Sequence, residues 1–197
     1  MAETATDLRL SYAEYLAMET ASEVRHEYVA GMLYAMSGGK PVHARLAAAV
    51  IHALSASLAG SPCATYTSDL RVYIPADGRS TYPDITVICG PVEHADADPD
   101  AAINPTVIVE VLSDSTEGYD RGEKFAAYRL LPSLQDYLLV RPDAAVIEHF
   151  RRSNDAEWVL RAAGAGEHVQ LSMGAGVAVD DVYAGVELLE KRARARA

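Results

Sequence analysis

The sequence predicts an α+β fold with an α/β-like core, a mixed central sheet flanked by helices, and three observations carry that expectation. A long Ala/Leu/Ile run from Val42 to Leu58, closed by Gly60 and Pro62, reads as the strongest helix in the chain. Beyond it the pattern changes to short runs rich in Val, Ile, Thr and Tyr, separated by Pro, Gly and Asp clusters, which are strand signals. A helical stretch, Tyr119 to Leu130, then lies between two such runs, Thr106 to Leu112 and Gln135 to Val140. A crossover of this kind packs a helix on one sheet face and makes its two flanking strands parallel.

The remaining elements follow in order. Ser11 is a good N-cap for a short amphipathic helix to Glu19 that carries Tyr12, Tyr15, Leu16 and Met18. His26 to Met36 alternates around Ala30-Gly31 and reads as a hairpin. Residues 37 to 41, Ser-Gly-Gly-Lys-Pro, break the chain before the long helix. Ala64 to Ile74 and Asp84 to Cys89 read as strands, and the acidic stretch Pro91 to Pro105 as a loop. Ala145 to Arg151, Trp158 to Ala162 and Val169 to Leu171 are expected as extra C-terminal strands, with a closing helix from Asp180 to Lys191. No internal repeat or domain-separating linker interrupts the 197 residues, so 1–197 is expected to form one domain with frayed ends at about 1–8 and 191–197.

Composition narrows the function. Half the residues are apolar and 23% charged, enough to build a core and too apolar for disorder. No apolar run reaches the length of a membrane span, and the N-terminus lacks a secretory pattern, so a cytoplasmic location with no membrane partner is expected. Cys63 and Cys89 belong to no metal-binding spacing and are expected as reduced core thiols. Net charge is −11, and between Arg79 and Arg121 there is no Lys or Arg while nine acids fall in that window. A broad phosphate-binding surface is therefore not expected there. The one concentrated basic run is Lys191, Arg192, Arg194 and Arg196.

Chemistry is suggested where charge interrupts apolar pattern. Asp84 follows Pro83 at the opening of a strand. Glu110 breaks the run Val107-Ile-Val-Glu-Val-Leu112, where a carboxylate costs several kcal/mol unless it is paired or metal-bound. Asp120 and Lys124 stand one turn apart on the next helix. Each has an ordinary explanation: a turn residue after proline, a partner for an arginine, a solvated i,i+4 pair. Together, two neighbouring strands and the adjoining helix start can bring Asp84, Glu110 and Lys124 to one place. Two carboxylates there, expected within about 6 Å, suit Mg²⁺ or Mn²⁺.

At these residues the sequence resembles the Uma-type restriction-endonuclease-like family of the PD-(D/E)XK nuclease superfamily. The resemblance rests on Tyr82-Pro83-Asp84, on Val109-Glu110-Val111-Leu112-Ser113 with Ser115-Thr116, on Asp120 with Lys124 and Tyr128, and on the strand Tyr137 to Val140. It extends from about Ser11 to about Val186 and includes the Glu27 to Gly31 hairpin and His43. It implies a restriction-endonuclease-like sheet with an N-terminal helix and hairpin, and a metal-dependent nuclease acting on nucleic acid, DNA first. Catalytic roles fall to Asp84, Glu110 and Lys124, with Asp84 and Glu110 as metal ligands and Glu27, His43, Ser113 and Asp120 in support. The superfamily's usual lysine position, two residues after the second acid, is Leu112, so the resemblance places the amine on the following helix as Lys124. Glu27 and His43 also have plain readings, as a strand-edge acid and a helix N-terminal residue; His52 is read as structural. Ser113 to Thr116 doubles as a turn and cap cluster.

Relatives of this type suggest a homodimer, with Trp158, Val159 and Leu160 as an apolar surface outside the core. The competing reading is a catalytically silent nuclease fold used for binding, which the acidity favours. A small-molecule metal hydrolase is weaker still, for want of a Gly-rich phosphate loop, a zinc signature or a nucleophile elbow.

Overall fold

The computed structural model describes residues 9–36, 38–154 and 157–189. Helix α1 (Tyr12–Ala21) begins at a capping box in which the Ser11 side chain accepts the Glu14 N–H and Glu14 returns to the Ser11 backbone. Strands β1 (His26–Val29) and β2 (Met32–Ala35) form the expected hairpin. Its turn residues Ala30 and Gly31 both have positive φ, the twist that a two-residue hairpin requires. Glycine is also needed at 31 for space: a Cβ there would stand 2.7 Å from Arg9 Cβ.

Helix α2 (Pro41–Ser57) follows, with proline at its first turn where the missing N–H costs nothing. The expected strand Ala64 to Ile74 is two strands, β3 (Cys63–Thr67) and β4 (Arg71–Ile74), lying in different sheets. The turn at Ser68 to Leu70 separates them, and Ser68-Asp69 was the local signal for it. Three strands not expected from the pattern, β5 (Arg79–Thr81), β7 (Ala101–Ala102) and β13 (Gly176–Ala178), are too short to give alternation. Strands β6 (Ile85–Cys89), β8 (Val107–Val111), β9 (Asp136–Val140), β10 (Val146–Arg152), β11 (Trp158–Gly164) and β12 (His168–Gln170) match expected runs.

The principal sheet has the order β11-β10-β9-β8-β6-β3. The β8–β9 pair is parallel, as the helical crossover between them requires, and the other pairs are antiparallel. A second sheet, β2-β1-β5-β4-β7, carries the N-terminal hairpin. One face of the principal sheet buries Val87, Val107, Val109 and Leu138 under Leu46, Val50 and Leu54 of α2. The other buries Ile108, Tyr137 and Leu139 against Val72 and Ile74 of the second sheet and Phe125 and Tyr128 of the crossover. All five residues of β8 are buried, the signature of a central strand covered on both faces.

The crossover consists of α3 (Glu117–Tyr119), a π-helical turn (Asp120–Lys124) and α4 (Phe125–Tyr128). The expected closing helix is only α5 (Val179–Tyr183), with Gly185 at φ +66° soon after it; the chain's basic run lies outside the described residues. The expectation of free thiols is also corrected. Cys63 and Cys89 stand directly opposite each other in the β3–β6 ladder and are joined in a disulfide, a proximity decided by strand register. Among the described residues no helix is long and apolar enough to cross a membrane.

The C-terminal hairpin is tied to the principal sheet through Asp136. This fully buried carboxylate accepts from His149 Nε2 at 2.7 Å, from the Ser172 N–H at 2.9 Å and from the Ser172 hydroxyl at 2.5 Å. Burial would raise its pKa, but the His149 and Ser172 hydrogen bonds outweigh burial and hold it below the ordinary carboxylate value. A depressed folded pKa means that the contribution to stability is complete above about pH 4 and lost as pH falls through the folded value. Asp136→Asn is expected to cost about 2 kcal/mol near neutral pH and to flatten the acid limb below pH 4, as measured by urea unfolding across pH.

Candidate active site

The end of β8, the start of β6, the hairpin and the π turn meet at one cluster of charges. Asp84 stands immediately before β6, after Pro83. Its Oδ2 accepts the Val111 N–H at 2.8 Å and lies 3.1 Å from His43 Nε2. Glu110 reaches back, with Oε2 3.4 Å from the Asp84 N–H. These contacts bring the two acids together at the ladder end.

Lys124 lies between the sheets. Its Nζ is 2.9 Å from Glu110 Oε1, 3.0 Å from Glu27 Oε1 and 3.9 Å from Asp120 Oδ1. The ammonium is almost fully buried, so the reading of Asp120 and Lys124 as a solvated surface pair does not hold. Their intrahelical contact is the longest of the three, and the amine's main partners come from β8 and β1. The π turn spans the five residues from Asp120 to Lys124 and both of its ends are buried. Such turns recur where a helix must aim side chains at a site.

His43 belongs to the first turn of α2, whose N-terminus points at this place. Its ring thus holds the same Asp84 oxygen that accepts the Val111 N–H of β8. Gly39 leaves room for it, since a Cβ there would lie 3.0 Å from His43 Nδ1. The hydrogen bond to Asp84 outweighs burial and raises the His43 pKa.

Three carboxylates, from Glu27, Glu110 and Asp120, thus share one lysine, and Asp84 stands next to Glu110 with His43 as its own partner. Burial pushes the Glu110 carboxyl up to about 8; Lys124 opposes this, while Asp84 and Asp120 add to it. Asp120 is raised for the same first reason. Burial would lower Lys124, yet Glu110, Glu27 and Asp120 together hold it well above its ordinary value. The two directions pull against each other, because a charged Lys124 favours an ionised Glu110. They agree on the surplus of negative charge, which a proton or a further cation would reduce.

Of the residues singled out from sequence, Glu27, His43, Asp84, Glu110, Asp120 and Lys124 come together. Ser113 does not join them by any hydrogen bond: its hydroxyl meets Ser115 and Thr116 and accepts the Thr116 N–H, completing the turn that opens α3. The sequence placed Tyr128 in the motif that carries the resemblance but assigned it no role at the site, and it assigned none to Thr81. The Tyr128 hydroxyl donates to Glu110 Oε1 at 2.9 Å and lies 3.0 Å from Thr81 Oγ1. The spacing of four from Lys124 to Tyr128 was the available signal, since it puts both on one helix face. The acidic loop also holds a surprise: Asp98 is 1% exposed, clamped by Arg71 at 2.7 and 2.8 Å and by Tyr12 at 2.6 Å.

A mixed sheet with an acid at the start of β6, an acid within β8 and an amine on the crossover helix defines a nuclease-type, restriction-endonuclease-like fold. Consistent with this, the crystal structure titled a "putative nuclease belonging to DUF820", from Anabaena variabilis, superposes with a TM-score of 0.71 at 16% identity, covering 88% of this chain and 97% of that one. The chain belongs to the Uma2 family, described as "Putative restriction endonuclease", whose model matches residues 12–181. Two uncharacterized proteins of Synechocystis sp. are similar along most of their length. One is 36% identical over 179 residues, covering 90% of this chain and 93% of the relative. The other is 32% identical over 160 residues, covering 81% and 90%.

Proposed function

We propose that this protein is a metal-dependent nuclease that hydrolyses phosphodiester bonds in nucleic acid, DNA first. The observation that carries this reading is the buried Lys124 ammonium held between Glu110 and Glu27, with the second Glu110 oxygen 3.4 Å from the Asp84 N–H at the ladder end.

The donor set fits Mg²⁺ or Mn²⁺. It offers hard carboxylate oxygens from Asp84 and Glu110 in a cluster that carries surplus negative charge. Among the described residues no three His, Cys, Asp or Glu side chains form a ready cage. Mg²⁺ needs none, because it is typically bound by one or two carboxylates, with waters and substrate phosphate completing the shell. When bound, such an ion supplies an activated water and charge neutralisation at the phosphate.

The protein's own groups have distinct tasks in this reading. Asp84 and Glu110 would hold the ion. Lys124 carries its proton, because three carboxylates raise its pKa; it therefore acts as a positive charge toward the scissile phosphate and not as the base. Tyr128 and Thr81 fix the Glu110 carboxylate, and Asp120 and Glu27 fix Lys124. His43 orients Asp84.

The second reading, a silent nuclease fold used for binding, is favoured by the closure of this network, in which Lys124 is 6% exposed and already ion-paired. Calorimetric titration with Mn²⁺, followed by cleavage assays on plasmid and single-stranded DNA, separates the two: heat and cleavage that vanish together in Asp84→Ala support the nuclease. A homodimer is part of the same proposal. Trp158 packs its ring on Phe125 inside the fold, contrary to its expected place outside the core, whereas Val159 and Leu160 are exposed on β11, the outermost strand of the principal sheet. Light scattering at micromolar concentration is expected to give twice the 21.1 kDa chain mass, and a value of one chain mass would remove the dimer.

A further inference from the structure

Of the eleven tyrosines, Tyr34 alone is exposed, at 48%. It stands directly opposite Glu27 in the β1–β2 ladder, so the two side chains leave the hairpin on the same face about 5 Å apart at their Cβ atoms. Glu27 uses that face to reach Lys124 at 3.0 Å. Met32, two residues away on the same face, is 45% exposed. β2 is the outermost strand of its sheet, so this aromatic and thioether pair lies at a sheet edge, on the face of Glu27.

Among the described residues, basic side chains on the elements around the site are drawn into ion pairs. Lys40 is paired with Asp114, Arg25 with Asp69, Arg79 with Asp77, and Arg121 with both Glu117 and Glu148. With a net charge of −11, duplex DNA, whose affinity comes largely from phosphate contacts, is a poor match. A strand with unpaired bases offers a different handle, because base faces stack on exposed aromatic rings with little regard to sequence. We propose, building on the nuclease reading, that Tyr34 is a stacking platform for an unpaired nucleobase beside the Asp84, Glu110 and Lys124 cluster, and that the substrate is a single strand or a frayed or displaced end.

The test uses the full chain in EDTA, so that binding is measured without cleavage. The probe is an oligothymidylate carrying one 2-aminopurine, whose fluorescence is quenched on stacking. The wild type is expected to bind this strand about tenfold or more tightly than the same sequence as duplex, with quenching. Tyr34→Ala should weaken strand binding about tenfold and abolish the quenching, while Tyr34→Phe, which keeps the ring, stays within about twofold of wild type. Thermal melting checks that the exposed substitution leaves the fold unchanged.

Strand binding and quenching that survive Tyr34→Ala overturn the proposal, as does absence of strand binding by the wild type. A fall in molecular mass in Tyr34→Ala with no change in strand binding also overturns it and assigns the face to a second copy of this chain. The nuclease reading fails separately: Tyr34-dependent strand binding with no cleavage in Mg²⁺ or Mn²⁺ refutes the nuclease and leaves the platform standing. Asp84-dependent cleavage with unaltered strand binding in Tyr34→Ala does the reverse.

Discussion

Lys124→Ala is expected to destabilise the fold by about 3–5 kcal/mol at pH 8 and to remove cleavage, because it strands the buried carboxylates of Glu110 and Asp120 beside Glu27 without a counter-charge. An exposed i,i+4 pair would cost no more than about 0.5 kcal/mol, so the magnitude alone distinguishes the two situations. The pH dependence carries a sign. Glu110 has a raised folded pKa, so the folded wild type takes up a proton more readily than the unfolded chain. Its contribution grows as pH falls through about 8 and is complete below the ordinary carboxylate value. Without Lys124 the acids rise further, and the deficit of the variant should shrink steadily between pH 8 and pH 5. Urea unfolding at several pH values reads both effects, and a variant as stable as wild type at pH 8 would contradict the buried pairing. Lys124→Arg should lose most cleavage as well, since a planar guanidinium does not fit the seat between Glu27 and Glu110.

Asp84→Asn is expected to lower cleavage by about 10³-fold and to abolish the heat of Mn²⁺ binding. The fold should survive, because the amide oxygen can still accept the Val111 N–H that Asp84 now takes at 2.8 Å. The measurement is a cleavage time course in Mn²⁺ beside calorimetry and a thermal melt of the same variant. Cleavage at the wild-type rate would refute the assignment of Asp84. Unchanged cleavage with lost metal binding would place the ion outside the reaction.

The charged cluster was legible because its members break patterns. Glu110 is conspicuous in a strand of valines and isoleucines, and Asp84 opens another strand after a proline. Glu27 and His43 were harder to weigh, since an acid in a hairpin and a histidine in a first helical turn are ordinary until something faces them. Tyr128 gave no sign of its bond to Glu110, because a buried tyrosine hydroxyl declares its partner only in three dimensions. Asp98 looked like one more acid in an acidic loop and proved to be among the most buried charges in the molecule.

The sequence by itself determined the long α2, the Ala30-Gly31 hairpin, the strand β8 and the parallel pairing of β8 with β9. Each follows from local periodicity, a turn requirement or the presence of a helical crossover, none of which needs distant partners. The tertiary structure alone decided the split of 64–74 between two sheets, the pairing of Cys63 with Cys89, and the shortness of the last helix. It also decided that Lys124 serves Glu27 and Glu110 in preference to its helical neighbour Asp120. These depend on register and on which surfaces meet, and an ion pair goes to whichever acid shares the amine's buried space, whatever its distance along the chain.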